Sequence, residues 1–228
     1  MMKHITHVFF DLDHTLWDFD RNSALTFEKI FAKRQIQLTL SDFLAVYEPV
    51  NLRYWKLYRE AKIDKVDLRY HRLKDVFTDL NYPISDDAIH DISDDYIKYL
   101  TTFTHLFEGT IEILDYLYGK YQLHIITNGF EEVQQSKMNH SKIAHYFKTV
   151  TNSEMVGVKK PDPKIFHYAM EAAQAEPRNS IMIGDNYEAD ILGALAVDMD
   201  ALCFNYHNAQ LDPHIKVIEN LAAIKNYL

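Results

Sequence analysis

Apolar residues along this chain follow two different periods, and the change between them divides it. A short unbroken run, Val8, Phe9 and Phe10, is followed at once by Asp11, Asp13 and Thr15. An apolar run that short, rich in β-branched and aromatic residues, reads as a strand covered on both faces. From residue 17 to residue 105 the spacing is helical. Phe43, Val46, Tyr47, Val50, Tyr54, Leu57 and Tyr58 recur at three- and four-residue intervals, with Pro49 expected to kink or divide their helix. Leu73, Val76, Phe77 and Leu80 form a second apolar face, ended by Asn81, Tyr82 and Pro83. Ile89, Ile92, Tyr96, Tyr99 and Phe103 form a third.

Beyond residue 106 helical and strand patterns alternate over short connections. Ile111, Leu114, Leu117 and Tyr118 mark a helix, and residues 123–126 a short apolar strand ending in Thr127, Asn128 and Gly129. Polar helical sequence runs on to residue 146, and residues 149–151 read as a further short strand. Asp162 and Pro163 look like the cap and first residue of a helix carrying Ile165, Phe166, Ala169, Met170 and Ala173. Residues 181–183 and 201–204 are the next two strands, with a helix bearing Ile191, Leu192 and Leu195 between them. A terminal helix is expected over 215–227. Strands alternating with helices imply an α/β fold, a doubly wound, Rossmann-like parallel sheet with right-handed crossovers. The core is expected in residues 1–16 and 106–228, with an all-α insertion at 17–105.

Composition narrows the function. The 228 residues suit one core with an insertion, and 24 Lys and Arg against 33 Asp and Glu give a net charge of -9. That balance argues against nucleic acid polymers and anionic membranes as partners and leaves room for a local basic pocket. The single cysteine, Cys203, sits in an apolar run and reads as a buried thiol in a reducing compartment. Residues 1–10 are too short an apolar run for a targeting signal, and no stretch is long enough to span a bilayer, so the expected location is the cytoplasm. The Asn139, His140, Ser141 triplet is read as an accidental glycosylation acceptor. Among 12 histidines, His140 and His145 come nearest to a ligand pair but lack an acidic or cysteine partner.

The candidate chemistry lies where strands end. Asp11, Asp13 and Thr15 follow the first strand and Thr127 and Asn128 the second; later loops bring Lys160, then Asp185 and Asp190. In open α/β sheets such loops line a crevice at the carboxyl edge. Several carboxylates together demand a hard cation, and an oxygen-only donor set points to magnesium. Magnesium beside a lysine and a threonine hydroxyl makes a phosphoryl site, to which backbone N–H groups around Asn128 and Gly129 can add donors. One carboxylate can attack phosphorus, and a second can protonate the leaving oxygen and then activate water.

These residues resemble all four motifs of the haloacid dehalogenase superfamily of phosphohydrolases: DLDHT at 11–15, TNG at 127–129, KP at 160–161 and GDNYEAD at 184–190. The resemblance implies Asp11 as nucleophile and Asp13 as general acid and base. It implies Thr127 and Lys160 as phosphoryl ligands, and Asp185, Asp11 and the backbone carbonyl of Asp13 as magnesium ligands. Asp190 would support the site or orient Lys160, and the helical insertion looks like the family's mobile cap. True dehalogenases lack the second aspartate, so Asp13 favours phosphate transfer. The stretches DLDHTLWDFDRNSALTF at 11–27, GVKKPDPKIF at 157–166 and GDNYEADI at 184–191 are most similar to the pyrimidine 5′-nucleotidase subgroup. Phe19, Tyr54, Trp55 and Tyr58 are candidates to stack on a base, although helical spacing favours packing for Tyr54 and Tyr58. The expected activity is magnesium-dependent hydrolysis of a small phosphorylated metabolite. A sugar-phosphate phosphatase or phosphomutase, and a phosphate-binding protein without turnover, remain as alternatives, and the sequence leaves the oligomeric state open.

Overall fold

Strand β1 (His7–Phe10) is buried along its whole length because it is the middle of a sheet with both faces covered. In the computed structural model, which describes residues 2 and 4–228, six parallel strands run in the order β3-β2-β1-β4-β5-β6. The others are β2 (Gln122–Thr127), β3 (Phe147–Asn152), β4 (Ser180–Gly184), β5 (Asp200–Phe204) and β6 (Val217–Ile218). This is the doubly wound order, in which the chain builds outward to one side of β1 and then returns to build outward on the other. Phe10 pairs with Ile125 of β2 and with Ile183 of β4, so Asp11 emerges level with Ile126 and Gly184, at the point where the winding reverses.

Alternation sends Phe9 to one face, where it joins Ile126, Met182, Cys203 and the apolar side of helix α8 (Pro163–Ala173), including Ile165, Phe166 and Met170. Val8 and Phe10 face the other way and are equally inaccessible. Asp162 caps α8 by accepting the Lys164 N–H at 2.9 Å, with Pro163 at the first helical position as expected. Helix α5 (Thr110–Leu117) buries Ile113, Leu114 and Leu117, whereas Ile111 and Tyr118 are exposed.

The chain divides into two compact units, Met1–Phe19 with Thr104–Leu228, and Asp20–Phe103. The second holds four helices: α1 (Phe19–Arg34, from its second residue), α2 (Leu40–Arg59), α3 (Lys65–Asp79) and α4 (Asp86–Leu100). Thr39, Asp64 and Ser85 cap the last three by accepting backbone N–H bonds at 3.3, 2.8 and 3.2 Å. Phe27, Phe43, Tyr47, Phe77 and Tyr96 form its core, crossed by the buried Arg72, which donates to Asn51 Oδ1 at 3.0 Å and lies 5.0 Å from the Tyr96 ring. Of the two outcomes expected at Pro49, division does not occur: α2 runs unbroken from Leu40 to Arg59. Both Pro49 and Ala45, whose carbonyl loses its helical partner, lie on the exposed side, where water can satisfy the freed group.

Two other elements differ from the sequence reading. Instead of a terminal helix over 215–227, Val217–Ile218 pairs with Cys203 and Phe204 as a sixth strand, and a 3₁₀ helix follows over Leu221–Asn226. The segment after β4 is a π-helical turn, Tyr187–Leu192, continued by a single α turn, Gly193–Leu195. It buries Ile191 but leaves Leu192 and Leu195 exposed. Among the described residues no helix is long and apolar enough to cross a membrane.

One polar feature of the sheet has a measurable consequence. His124, in the middle of β2, is inaccessible; its Nε2 is 3.2 Å from His7 Nδ1, its Nδ1 is 2.8 Å from Thr149 Oγ1, and Phe9 stacks on it. Burial, and after it the neighbouring His7, push the His124 imidazole from 6.5 down to about 4. The unfolded chain therefore takes up a proton near pH 6.5 that the folded chain refuses until about pH 4, so stability falls as the pH falls through that window. The loss should reach up to about 3 kcal/mol. Urea unfolding of wild type and His124→Asn at pH 7, 6 and 5 checks it: the variant should show a clearly flatter pH slope, and equal slopes would refute the assignment.

Candidate active site

Three loops at the carboxyl edge of the sheet deliver the charged centre. Asp11 continues β1, its N–H donating to Ile183 O at 2.9 Å, so its side chain leaves the last ladder position with little freedom. Lys160 arrives from the loop that joins the short helix α7 (Ser153–Val156), which follows β3, to α8. Its Nζ donates to Asp11 Oδ1 at 2.6 Å and to the Ile126 carbonyl at 2.7 Å, and pairs with Asp190 Oδ1 at 2.6 Å. The first two contacts are hydrogen bonds, whereas Asp190 Oδ1 meets the ammonium as an ion pair without hydrogen-bond geometry. The Asn128 side chain straps this loop in place, accepting from Lys160 N at 2.7 Å and donating to Lys160 O at 3.0 Å. This uses one N–H of the Asn128 amide and leaves its second N–H as a donor for a ligand.

The π-helical turn positions Asp190. Asn186 caps the turn by accepting the Ala189 N–H at 2.9 Å, while its own N–H donates to Asp190 Oδ2 at 3.0 Å. Gly184 makes the approach possible, since a β-carbon there would lie 2.3 Å from Asp190 Oδ2. Thr15, fully buried, donates to Asp185 Oδ1 at 3.4 Å. Asp11, Asp185 and Asp190 each place a carboxylate oxygen within 4.8 Å of the others. Burial raises Asp11 to about 7 against the opposing pull of Lys160, and raises Asp185 well above the carboxylate range, with Asp190 and Asp11 adding to it. For Lys160 burial opposes the charge, yet Asp11 and Asp190 outweigh it and the pKa is raised. The cluster thus holds more carboxyl groups than its one lysine can balance, and its donors are oxygens only. That composition fits a hard divalent cation such as magnesium.

A second network borders the first. Thr127 Oγ1 accepts from Gly129 N at 3.1 Å and from Gln134 Nε2 at 2.6 Å, both partners being donors, so the hydroxyl proton is left to point toward a ligand. The Gly129 N–H, expected as a ligand donor, is committed to this threonine. Gln134 Nε2 also reaches Asp13 Oδ2 at 3.0 Å, and Lys137 Nζ lies 2.5 Å from Asp13 Oδ1. Gln134 and Lys137 stand on helix α6 (Glu131–His140), where Val133, Gln134, Lys137 and Met138 form the buried stripe.

Asp11, Asp185, Asp190 and Lys160 thus form one cluster, Thr15 touches it, and Asp13 and Thr127 are linked beside it. The proposed stacking residues separate. Phe19 is buried in the sheet unit, while Tyr58 is buried in the helical unit with Trp55 edge-on to it, and the Tyr54 hydroxyl is spent on Asp75 at 2.7 Å.

Residues 8–204 match the haloacid dehalogenase-like hydrolase family. The chain belongs to that family. Two relatives are pyrimidine 5′-nucleotidase YjjG of Escherichia coli, 30% identical over 204 residues and covering 89% of this chain and 87% of the relative, and the glyceraldehyde 3-phosphate phosphatase of Pyrococcus furiosus, 32% identical over 219 residues and covering 94% and 87%. The HAD-hydrolase YfnB of Bacillus subtilis, solved bound to magnesium, superposes with a TM-score of 0.89 at 25% identity over 98% of both chains. In this haloacid dehalogenase-like hydrolase, reading the sequence for function passed over Gln134 and Lys137. The signal was present: two polar residues occupy the inward stripe of a short helix that an apolar stripe would otherwise fill.

Proposed function

We propose that this haloacid dehalogenase-like hydrolase removes phosphate from small phosphomonoesters, nucleoside 5′-monophosphates among them, through an aspartyl-phosphate on Asp11. The observation that carries this reading is a buried carboxylate fixed against a buried lysine, with a second carboxylate and a threonine hydroxyl beside it. In the proposed reaction an Asp11 oxygen attacks phosphorus and the ester P–O bond breaks as Asp13 gives its proton to the leaving oxygen. Water then attacks the aspartyl-phosphate while Asp13 takes its proton, which releases inorganic phosphate and restores Asp11. Thr127 donates to a phosphoryl oxygen throughout. Lys160 exchanges its bond to the attacking Asp11 oxygen for one to the phosphoryl group. Asp11, Asp185 and the backbone carbonyl of Asp13 would hold magnesium, whose charge when bound stabilises the negative phosphoryl oxygens. The helical unit is proposed as the cap that sets specificity; in YfnB, interdomain movement accompanies the magnesium-bound structure.

The likeness to YjjG favours nucleotides, and that to the Pyrococcus enzyme keeps sugar phosphates as the second reading. Purified protein with magnesium should release phosphate from p-nitrophenyl phosphate, lose that activity in excess chelator, and regain it when magnesium is restored. A panel of nucleoside monophosphates, sugar phosphates and glyceraldehyde 3-phosphate then ranks the substrates. Neither turnover on any of them nor binding of a phosphate mimic would sink the reading; activity that survives rigorous chelation would sink its metal requirement.

A further inference from the structure

We propose that Lys137, with Gln134, is a positioning clamp that holds the Asp13 carboxylate in place for protonating the leaving group. The inference rests on the phosphatase reading above and adds two residues that its mechanism does not use. Each oxygen of Asp13 has its own donor on the same helical turn: Lys137 Nζ at 2.5 Å from Oδ1 and Gln134 Nε2 at 3.0 Å from Oδ2. Two donors on two oxygens fix the rotation of a carboxylate as one donor cannot. The clamp is itself held. The Lys137 side chain is 3% exposed, and its ammonium sits 4.3 Å from the Trp17 ring and 5.3 Å from that of Phe19. The Trp17 indole is anchored in turn by its Nε1–H bond to Ser141 Oγ at 3.2 Å.

Gln134 is fixed from the other side. Its amide nitrogen also donates to Thr127, and it lies so closely over Gly129 that a β-carbon there would fall 2.3 Å from Nε2. One side chain therefore ties the leaving-group side of the site, Asp13, to the phosphoryl side, Thr127. An apolar residue at 137 would serve the helix stripe at lower cost than a buried ammonium, so the cation is explained by the carboxylate it holds.

A misplaced general acid harms esters whose leaving group needs a proton and spares those whose leaving group departs as a stable anion. The test compares kcat/KM, which covers all steps up to departure of the leaving group, for p-nitrophenyl phosphate and for the alkyl phosphate that wild type turns over fastest. Lys137→Met should lower the alkyl value about 10²-fold and the p-nitrophenyl value by no more than about fivefold. Should Lys137→Met not fold, Gln134→Met decides the matter, because any weakening at Thr127 affects both esters alike and leaves their ratio to report on Asp13. That variant should shift the ratio about tenfold in the same direction. A lysine with a purely structural role would lower both esters equally. Active wild type with an unchanged ratio in the folded variant overturns the clamp alone, whereas wild type inactive on both esters overturns the phosphatase reading and the clamp with it.

Discussion

Asp11→Asn is expected to lower kcat for phosphate release by at least about 10³-fold while leaving the protein folded. The size of the effect follows from what the residue is asked to do. An amide oxygen at the same position is a poor nucleophile, and no neighbouring carboxylate is placed to substitute: Asp190 is tied to Lys160 and to the Asn186 N–H, and Asp13 is held by Lys137. Stability should move little and in the favourable direction. Asp11 is 8% exposed, and burial raises its carboxyl to about 7 in the metal-free protein. Between the ordinary carboxylate pKa and that value the folded chain binds the extra proton, so this group lowers stability as the pH rises through the window. A neutral asparagine removes that contribution, and Lys160 keeps Asp190 and the Ile126 carbonyl. Steady-state kinetics together with thermal melts in chelator check both halves. A variant that keeps more than about a tenth of wild-type kcat excludes Asp11 as the nucleophile.

The distribution of legible and illegible features has a physical pattern. Strands β1, β2, β4 and β5 could be read because each is covered on both faces, an environment that selects mostly apolar runs, with His124 a polar exception in β2. Two-residue β6 could not, because Val217 and Ile218 gain their pairing from Cys203 and Phe204, distant in sequence, while the local apolar spacing suits a helix equally well. The outcome at Pro49 stayed open for the opposite reason. Its local cost was clear in the sequence, but whether solvent could absorb that cost depended on which side of α2 it occupied.

At the site, Asp11, Asp13, Thr127, Lys160, Asp185 and Asp190 stood out because each follows a readable strand and the residue types complement one another. What held them did not stand out. Gly184 is needed only because Asp190 folds back over it, and Asn128 proves to be a strap on the Lys160 loop. Lys137 and Gln134 lie in a stretch with weak apolar periodicity, where polar residues pass as solvent-facing unless the stripe is traced position by position. Strand ends reveal the candidate reactive groups; the side chains that hold Asp13 in place lie on the next helix.

Lys160 should show the largest stability effect in the molecule. Lys160→Met keeps the buried stem and deletes the ammonium, leaving Asp11 and Asp190 without the cation both contact at 2.6 Å. Lys160 is 2% exposed and Asp190 1%, so water cannot replace the lost partner. Breaking such a pair from one side should cost about 3–5 kcal/mol in the metal-free protein, measured by urea unfolding in chelator. The two carboxylates can limit the damage only by taking up protons, so the deficit should shrink as the pH is lowered, because protonation removes the unpaired charge that causes it. Magnesium offers a second escape. A cation drawn to Asp11, Asp185 and Asp190 stabilises the folded state in proportion to its occupancy, and its gain should be larger in the variant than in wild type, where Lys160 already neutralises part of the cluster. Stability would then recover with magnesium while turnover stays at least about 10²-fold down, since the missing ammonium is also the proposed ligand of the phosphoryl group. A metal-free cost below about 1 kcal/mol would mean that the triad is a solvated contact and not the electrostatic centre of the site.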